Sequence, residues 1–135
     1  MTRTELSCRA QRSEAALQSD VRTLLTLEKV LWYEFAPPGS RARCPRCGVV
    51  VGALGGANPP GWSDMLVILP PGDVDWPPVY IHLELKVGAG TLSADQIDWR
   101  NEIVGVGGYW HEIRRIEDMF DVLTTYGHRM RMGGP

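Results

Sequence analysis

Lysine is nearly missing from this chain: only Lys29 and Lys86 occur, and every other basic residue is arginine. Cysteine is scarce as well. Cys8, Cys44 and Cys47 make an odd set of 3, which excludes the closed disulfide framework of a small secreted domain and leaves free thiols or metal ligands. No apolar run reaches the roughly 18 to 20 residues of a membrane span, and the opening MTRTELSCRAQRSE lacks the apolar stretch of a signal peptide. A cytoplasmic location is expected. A large charge of one sign is also absent: 14 basic and 16 acidic residues leave a net charge of -2 and a pI ≈ 5.9, which does not mark a polyanion-binding protein. The rest is ordinary for a globular chain. With 135 residues, 44% hydrophobic and 22% charged, it has enough for one domain with a real core and too little for two. Arginines gather at Arg41, Arg43 and Arg46, at Arg114 and Arg115, and at Arg129 and Arg131, which allows local basic patches. GC-rich codon usage explains the preference for arginine equally well.

Periodicity gives an α/β order of elements. Leu17, Val21, Leu24 and Leu25 recur at helical spacing within residues 13–29, with Ser13 placed as the N-cap. LWYEF, Leu31 to Phe35, reads as a strand. Residues 39–60 read as one long glycine-rich loop containing CPRCG. Two strands follow, Asp64 to Leu69 and Val79 to Val87, and the proline-rich stretch between them suggests an antiparallel hairpin. Ser93 and Gln96 match a capping box at the start of SADQIDWRNEIVGV, a helix ending near Gly107 and Gly108. YWHEIRR is then a strand and IEDMFDVLTTY a last helix, with Glu117 and Asp118 near its positive end. Residues 1–12 and 127–135 are expected to be flexible ends of this single domain.

The second strand of the hairpin carries the chemistry. Tyr80, His82, Glu84 and Lys86 share one face and Ile81, Leu83, Leu85 and Val87 the other. If Leu69 pairs with Tyr80, Asp64 falls opposite Leu85 and within one residue of Glu84. Two carboxylates, a backbone carbonyl and a lysine then converge. Such an oxygen-rich set suits Mg²⁺ or Mn²⁺ acting on a phosphate, with Lys86 orienting or deprotonating the attacking water. Glu14 lies on the apolar side of the first helix, three residues before Leu17, and an inward carboxylate needs a partner. Gln96, aligned with Arg100 and Ile103, faces either its own cap or the protein interior.

In this order, SEAALQ, GWSDMLVI, YIHLELKVGAGTLSADQIDWRNEI and GGYWHEIRRIED resemble the VRR-NUC family of the PD-(D/E)xK nucleases, over residues 13 to about 123. The resemblance implies a restriction-endonuclease-like α-β-β-β-α-β core with a central mixed sheet flanked by helices. It implies that Glu14, Asp64, Glu84 and the Leu85 carbonyl ligate the divalent metal, that Lys86 is the catalytic lysine and that Gln96 supports the site. Small stand-alone members are similar to phage or bacterial enzymes that form homodimers and cut branched DNA such as four-way junctions. Two departures stand out: Ser63 replaces the motif proline, and CPRCG is foreign to the pattern.

Cys44 and Cys47 make half of a zinc knuckle, which Cys8 and His128 or a second protomer would have to complete, against the simpler reading as free thiols. His82 reads as a strand histidine satisfied by a neighbouring carboxylate, while His111 and His128 show no evident partners. Trp62, Trp76 and Trp99 suit base stacking, although Trp99 falls on the inward face of its helix. Arg114 and Arg115 suit phosphate contact or a solvated strand end. The rival to a nuclease is a module on the same fold that binds nucleic acid without cutting it, with or without a cysteine-bound zinc. Asp64, Glu84 and Lys86 occurring together favour catalysis, since a pure binder gains attraction to phosphate by losing carboxylates.

Overall fold

The computed structural model describes residues 13–35, 41–43, 46–47, 50–53, 58–70 and 77–132. Helix α1, Glu14–Leu27, forms where its apolar stripe predicts and buries Leu17, Val21, Leu24 and Leu25. Ser13 caps it by accepting a hydrogen bond from the Ala16 backbone at 3.1 Å. The helix closes with Val30 N donating to Leu25 O at 2.9 Å and Lys29 N to Thr26 O at 3.1 Å. This closure puts its pivot residue in the left-handed region. Lys29 takes that position with φ 56°, where the two later helices use Gly107 and Gly127.

Four strands form one mixed sheet, in the order β1, β4, β5, β6: β1 is Leu31–Glu34, β4 Met65–Leu69, β5 Val79–Leu85 and β6 Tyr109–Ile113. The first three run antiparallel to their neighbours and β6 lies parallel to β5, joined to it through helix α2, Ala94–Gly105. Met65, Val67 and Leu69 share a buried face with Ile81, Leu83, Leu85 and Ile113, packed against α1 and against helix α3, Ile116–Thr125. Ile116, Met119, Phe120, Val122 and Leu123 are the α3 contribution to that core. Helix α2 meets the sheet on its other face. Among the described residues no helix is long and apolar enough to cross a membrane.

Three expectations need correction. The hairpin register is one residue away from the expected one: Leu69 pairs with Val79 and Met65 with Leu83. The burial of alternate residues enforces this, because a Leu69 to Tyr80 pairing would set Val67 against His82 and turn one strand inside out. The stretch read as loop 39–60 contains two short antiparallel strands, β2 (Arg41–Arg43) and β3 (Val50–Ala53), the latter built on a valine pair suited to a strand. Within the C-terminal stretch read as flexible, His128, Arg131 and Met132 are bound to Glu28. That carboxylate is 0% exposed, and it accepts from His128 Nε2 at 2.9 Å, Arg131 N at 2.6 Å and Met132 N at 2.7 Å. Residues 1–12 and 133–135 lie outside the described residues, as do Cys8, Cys44 and Trp76.

Candidate metal-dependent active site

Three elements bring the acidic residues together. Asp64 stands just before β4, where its N–H donates to Leu83 O at 2.9 Å and its own carbonyl accepts from Phe35 N at 3.0 Å. Ladder bonds on both sides therefore fix its backbone between β1 and β5. Its carboxylate oxygen Oδ2 accepts from the Leu85 backbone N–H at 2.8 Å, turning the side chain across β5 beside Glu84. Glu84 is next to last in β5 and only 2% exposed. Its face of the strand is covered by α2, whose Gln96 donates from Nε2 to Glu84 Oε1 at 2.5 Å.

Gln96 fills both of its expected roles with one amide. Its Oε1 accepts from Ser93 N at 2.8 Å, Ser93 Oγ accepts from Gln96 N at 3.2 Å, and the remaining amide nitrogen is free to reach Glu84. The cap thereby sets the rotamer of the residue that holds Glu84. A short turn positions the start of α2: Gly61, at φ +82°, lies so close that a Cβ there would stand 2.5 Å from the Asp95 carbonyl carbon. Trp99 Nε1 donates to Pro60 O at 3.2 Å and ties the same turn to the helix.

The remaining oxygen of Glu84, Oε2, is buried without a hydrogen-bond partner. A buried carboxylate oxygen in that state calls for a proton or a cation. Burial, and then the negative charge of Asp64, push the Glu84 carboxyl up to about 8, against the pull of Lys86. Burial also raises Asp64, partly offset by its bond from Leu85 N. Lys86 Nζ lies 3.9 Å from Glu84 Oε1. Its side chain is 13% exposed, so it is drawn to the acid pair instead of spreading into water.

Glu14 departs from its expected place. It is exposed, because the first residue of α1 lies beyond the edge of the core that buries Leu17. Its charge still raises both Asp64 and Glu84 through space, which sets it at the rim of the site. Among the described residues no three His, Cys, Asp or Glu side chains are gathered as a ready metal centre. Asp64 and Glu84 are nevertheless hard oxygen donors with one unsatisfied oxygen, and this donor chemistry fits Mg²⁺ or Mn²⁺.

The other candidates go elsewhere. Arg114, with its side chain 37% exposed, donates to Gly88 O at 3.2 Å, Gly90 O at 2.6 Å and Glu112 Oε1 at 2.8 Å, so it pins the loop after β5. Arg115 is exposed, 4.0 Å from Asp118. Cys47 is an exposed free cysteine. Neither His111 nor His128 lacks a partner: His111 Nε2 meets the Tyr126 hydroxyl at 2.7 Å, and His128 is held by Glu28, 100 residues away in sequence. His82 is satisfied by the Ser63 hydroxyl, at 2.8 Å from Nδ1, not by a carboxylate.

Two features go beyond what the sequence shows. One is the ring cluster around His82: the sequence offers Trp62 and Trp99 for stacking, but not their contacts with His82 and Phe35. The other is a concavity of about 460 Å³ lined by Leu69, Pro70 and residues 126–131. It opens at the far end of β4, about 17 Å along the strand from Asp64, and shares nothing with the acid pair. Against known proteins, the chain matches no family model, no curated protein and no solved structure.

Proposed function

We propose that the protein is a divalent-metal-dependent endodeoxyribonuclease of the VRR-NUC type, with Asp64, Glu84 and the Leu85 carbonyl holding Mg²⁺ or Mn²⁺ and Lys86 acting beside them. The observation that carries this reading is the unpartnered oxygen of Glu84, buried next to a second carboxylate and a lysine. Buried polar atoms are seldom left in that state, and here the neighbouring groups are those a cation or a proton would need. The order of elements, with the β2 and β3 hairpin as an insertion, is compatible with a restriction-endonuclease-like core.

In this reading Asp64 and Glu84 would hold the metal, which would supply Lewis acidity at the scissile phosphate. Lys86 orients the attacking water and offsets the charge that builds on the phosphoryl oxygens. Gln96 fixes Glu84, and Glu14 adds negative charge at the rim. Water oxygen bonds to phosphorus as the bond from phosphorus to the 3′ oxygen breaks, leaving a 5′-phosphate and a 3′-hydroxyl. A homodimer acting on branched DNA fits this chemistry, because two symmetric sites cut two strands.

The test is cleavage of end-labelled four-way junction, flap and linear duplex in Mg²⁺ or Mn²⁺. Asp64→Ala and Lys86→Ala are each expected to lose activity by about a hundredfold or more. Binding without cutting under both metals would replace the nuclease with the non-catalytic module.

A further inference from the structure

Five rings lie in a continuous row against the acid pair. Tyr33 meets Phe35 edge-on at 5.4 Å, Phe35 lies parallel to His82 at 6.0 Å and edge-on to Trp62 at 5.8 Å, and Trp62 meets His82 at 5.2 Å and Trp99 at 4.8 Å. The row follows from the sheet. Phe35 N bonds Asp64 O, which sets Phe35 beside the first carboxylate, and His82 is two residues before Glu84 on the same face of β5. Trp62 is two residues before Asp64. Two residues of extended chain span about 7 Å, so any strand with a phosphate at the acid pair brings its adjoining nucleotide over these rings.

A satellite core cluster would bury such rings, but these do not belong to the hydrophobic core. Phe35, Trp62, His82 and Trp99 are each only partly buried, and Tyr33 is 59% exposed. A second observation concerns a donor. Trp62 Nε1 is buried with no hydrogen-bond partner, whereas Trp99 Nε1 has Pro60 O. An indole N–H normally finds an acceptor when buried, and this one has none within the protein.

We propose that Tyr33, Phe35, Trp62, His82 and Trp99 form a stacking subsite for unpaired bases flanking the scissile phosphate. The substrate is then DNA with single-stranded character at the cut, as at a flap or an opened junction, and not continuous duplex. This rests on the nuclease reading of the acid pair. Stacking is tolerant of sequence, because every base has a π face, so the subsite selects by strand structure and not by base identity.

The experiment measures binding of fluorescein-labelled oligothymidylate, the same strand with abasic sites, and a duplex of equal length, by anisotropy with Ca²⁺ present. Expected are about tenfold weaker binding of the abasic strand and of the duplex than of the intact strand. Tyr33→Ala, whose exposed ring leaves the core intact, is expected to weaken the intact strand about tenfold and the abasic strand hardly at all. Equal binding of intact and abasic strands overturns the subsite, as does no binding of either, or a Tyr33→Ala loss of equal size on both. Cleavage in Mg²⁺ or Mn²⁺ is measured separately. Duplex cutting indifferent to base loss overturns the subsite alone, whereas base-dependent binding with no cutting upholds it and overturns the nuclease.

Discussion

Glu28 and Glu84 are withdrawn from water almost equally, at 0% and 2% exposure, yet the protein treats them in opposite ways. Both oxygens of Glu28 are satisfied, by His128 Nε2 and the Arg131 and Met132 backbone N–H groups. Glu84 has Gln96 on one oxygen and no N–H donor on the other, where only the Asp64 carboxyl is near. Burial alone therefore says little about what a carboxylate is for. The two differ in the state of the last lone pair: full on Glu28, without an N–H donor on Glu84.

The comparison is broken most severely at Glu28. Glu28→Gln keeps the shape but leaves an amide nitrogen facing backbone donors, and is expected to cost about 3 kcal/mol, lowering the melting temperature by roughly 10 °C in thermal denaturation. The same substitution at Glu84 should act in reverse. Glu84→Gln retains the bond from Gln96 and removes the charge that burial and Asp64 oppose, so with a chelator present it is expected to gain about 1 kcal/mol while abolishing cleavage. Destabilisation by both substitutions would erase the distinction.

Acidity sharpens the contrast. Burial raises Glu28, but hydrogen bonds from Arg131, His128 and Met132 outweigh it and hold the carboxyl below its ordinary value. Its contribution is therefore present above the usual carboxylate range and lost as pH falls through and below it. Glu84, raised to about 8, behaves oppositely: its contribution is complete below the usual carboxylate range and is lost as pH rises through about 8. Melting temperatures recorded across this range without metal should fall at both ends. Glu84→Gln should flatten the alkaline limb and leave the acid limb unchanged.

The smallest effect is expected next to Glu28. Lys29 takes a left-handed conformation that costs a side chain about 1 kcal/mol, so Lys29→Gly should raise stability by up to that amount, with cleavage unchanged. This measures how firmly the end of α1 is fixed apart from its neighbouring carboxylate. A loss of cleavage would instead tie the helix end to the acid pair.

What was legible in the sequence depended on how local the cause was. The capping box of Ser93 and Gln96 and the alternation in β5 are local, and both stand in the fold. The hairpin register is not legible, because MLVIL is apolar at every position and does not say that Met65, Val67 and Leu69, instead of Leu66 and Ile68, face the core. Glu14 has the spacing of an inward residue, but spacing cannot say where the core ends along a helix. The partners of Glu28 lie 100 to 104 residues away, and nothing in a local pattern announces them. Arg114 looked like a phosphate contact because its use for the Gly88 and Gly90 carbonyls depends on how the loop folds back.

The bonds from Glu28 to Arg131 and Met132 also set an order of assembly. During synthesis Asp64, Glu84 and Lys86 all leave the ribosome before residue 128 exists, while Glu28 stays solvated, without the donors that make its burial tolerable. Helix α1 can therefore form early, but it is sealed into place only when the segment ending at Met132 arrives and the loop between them closes.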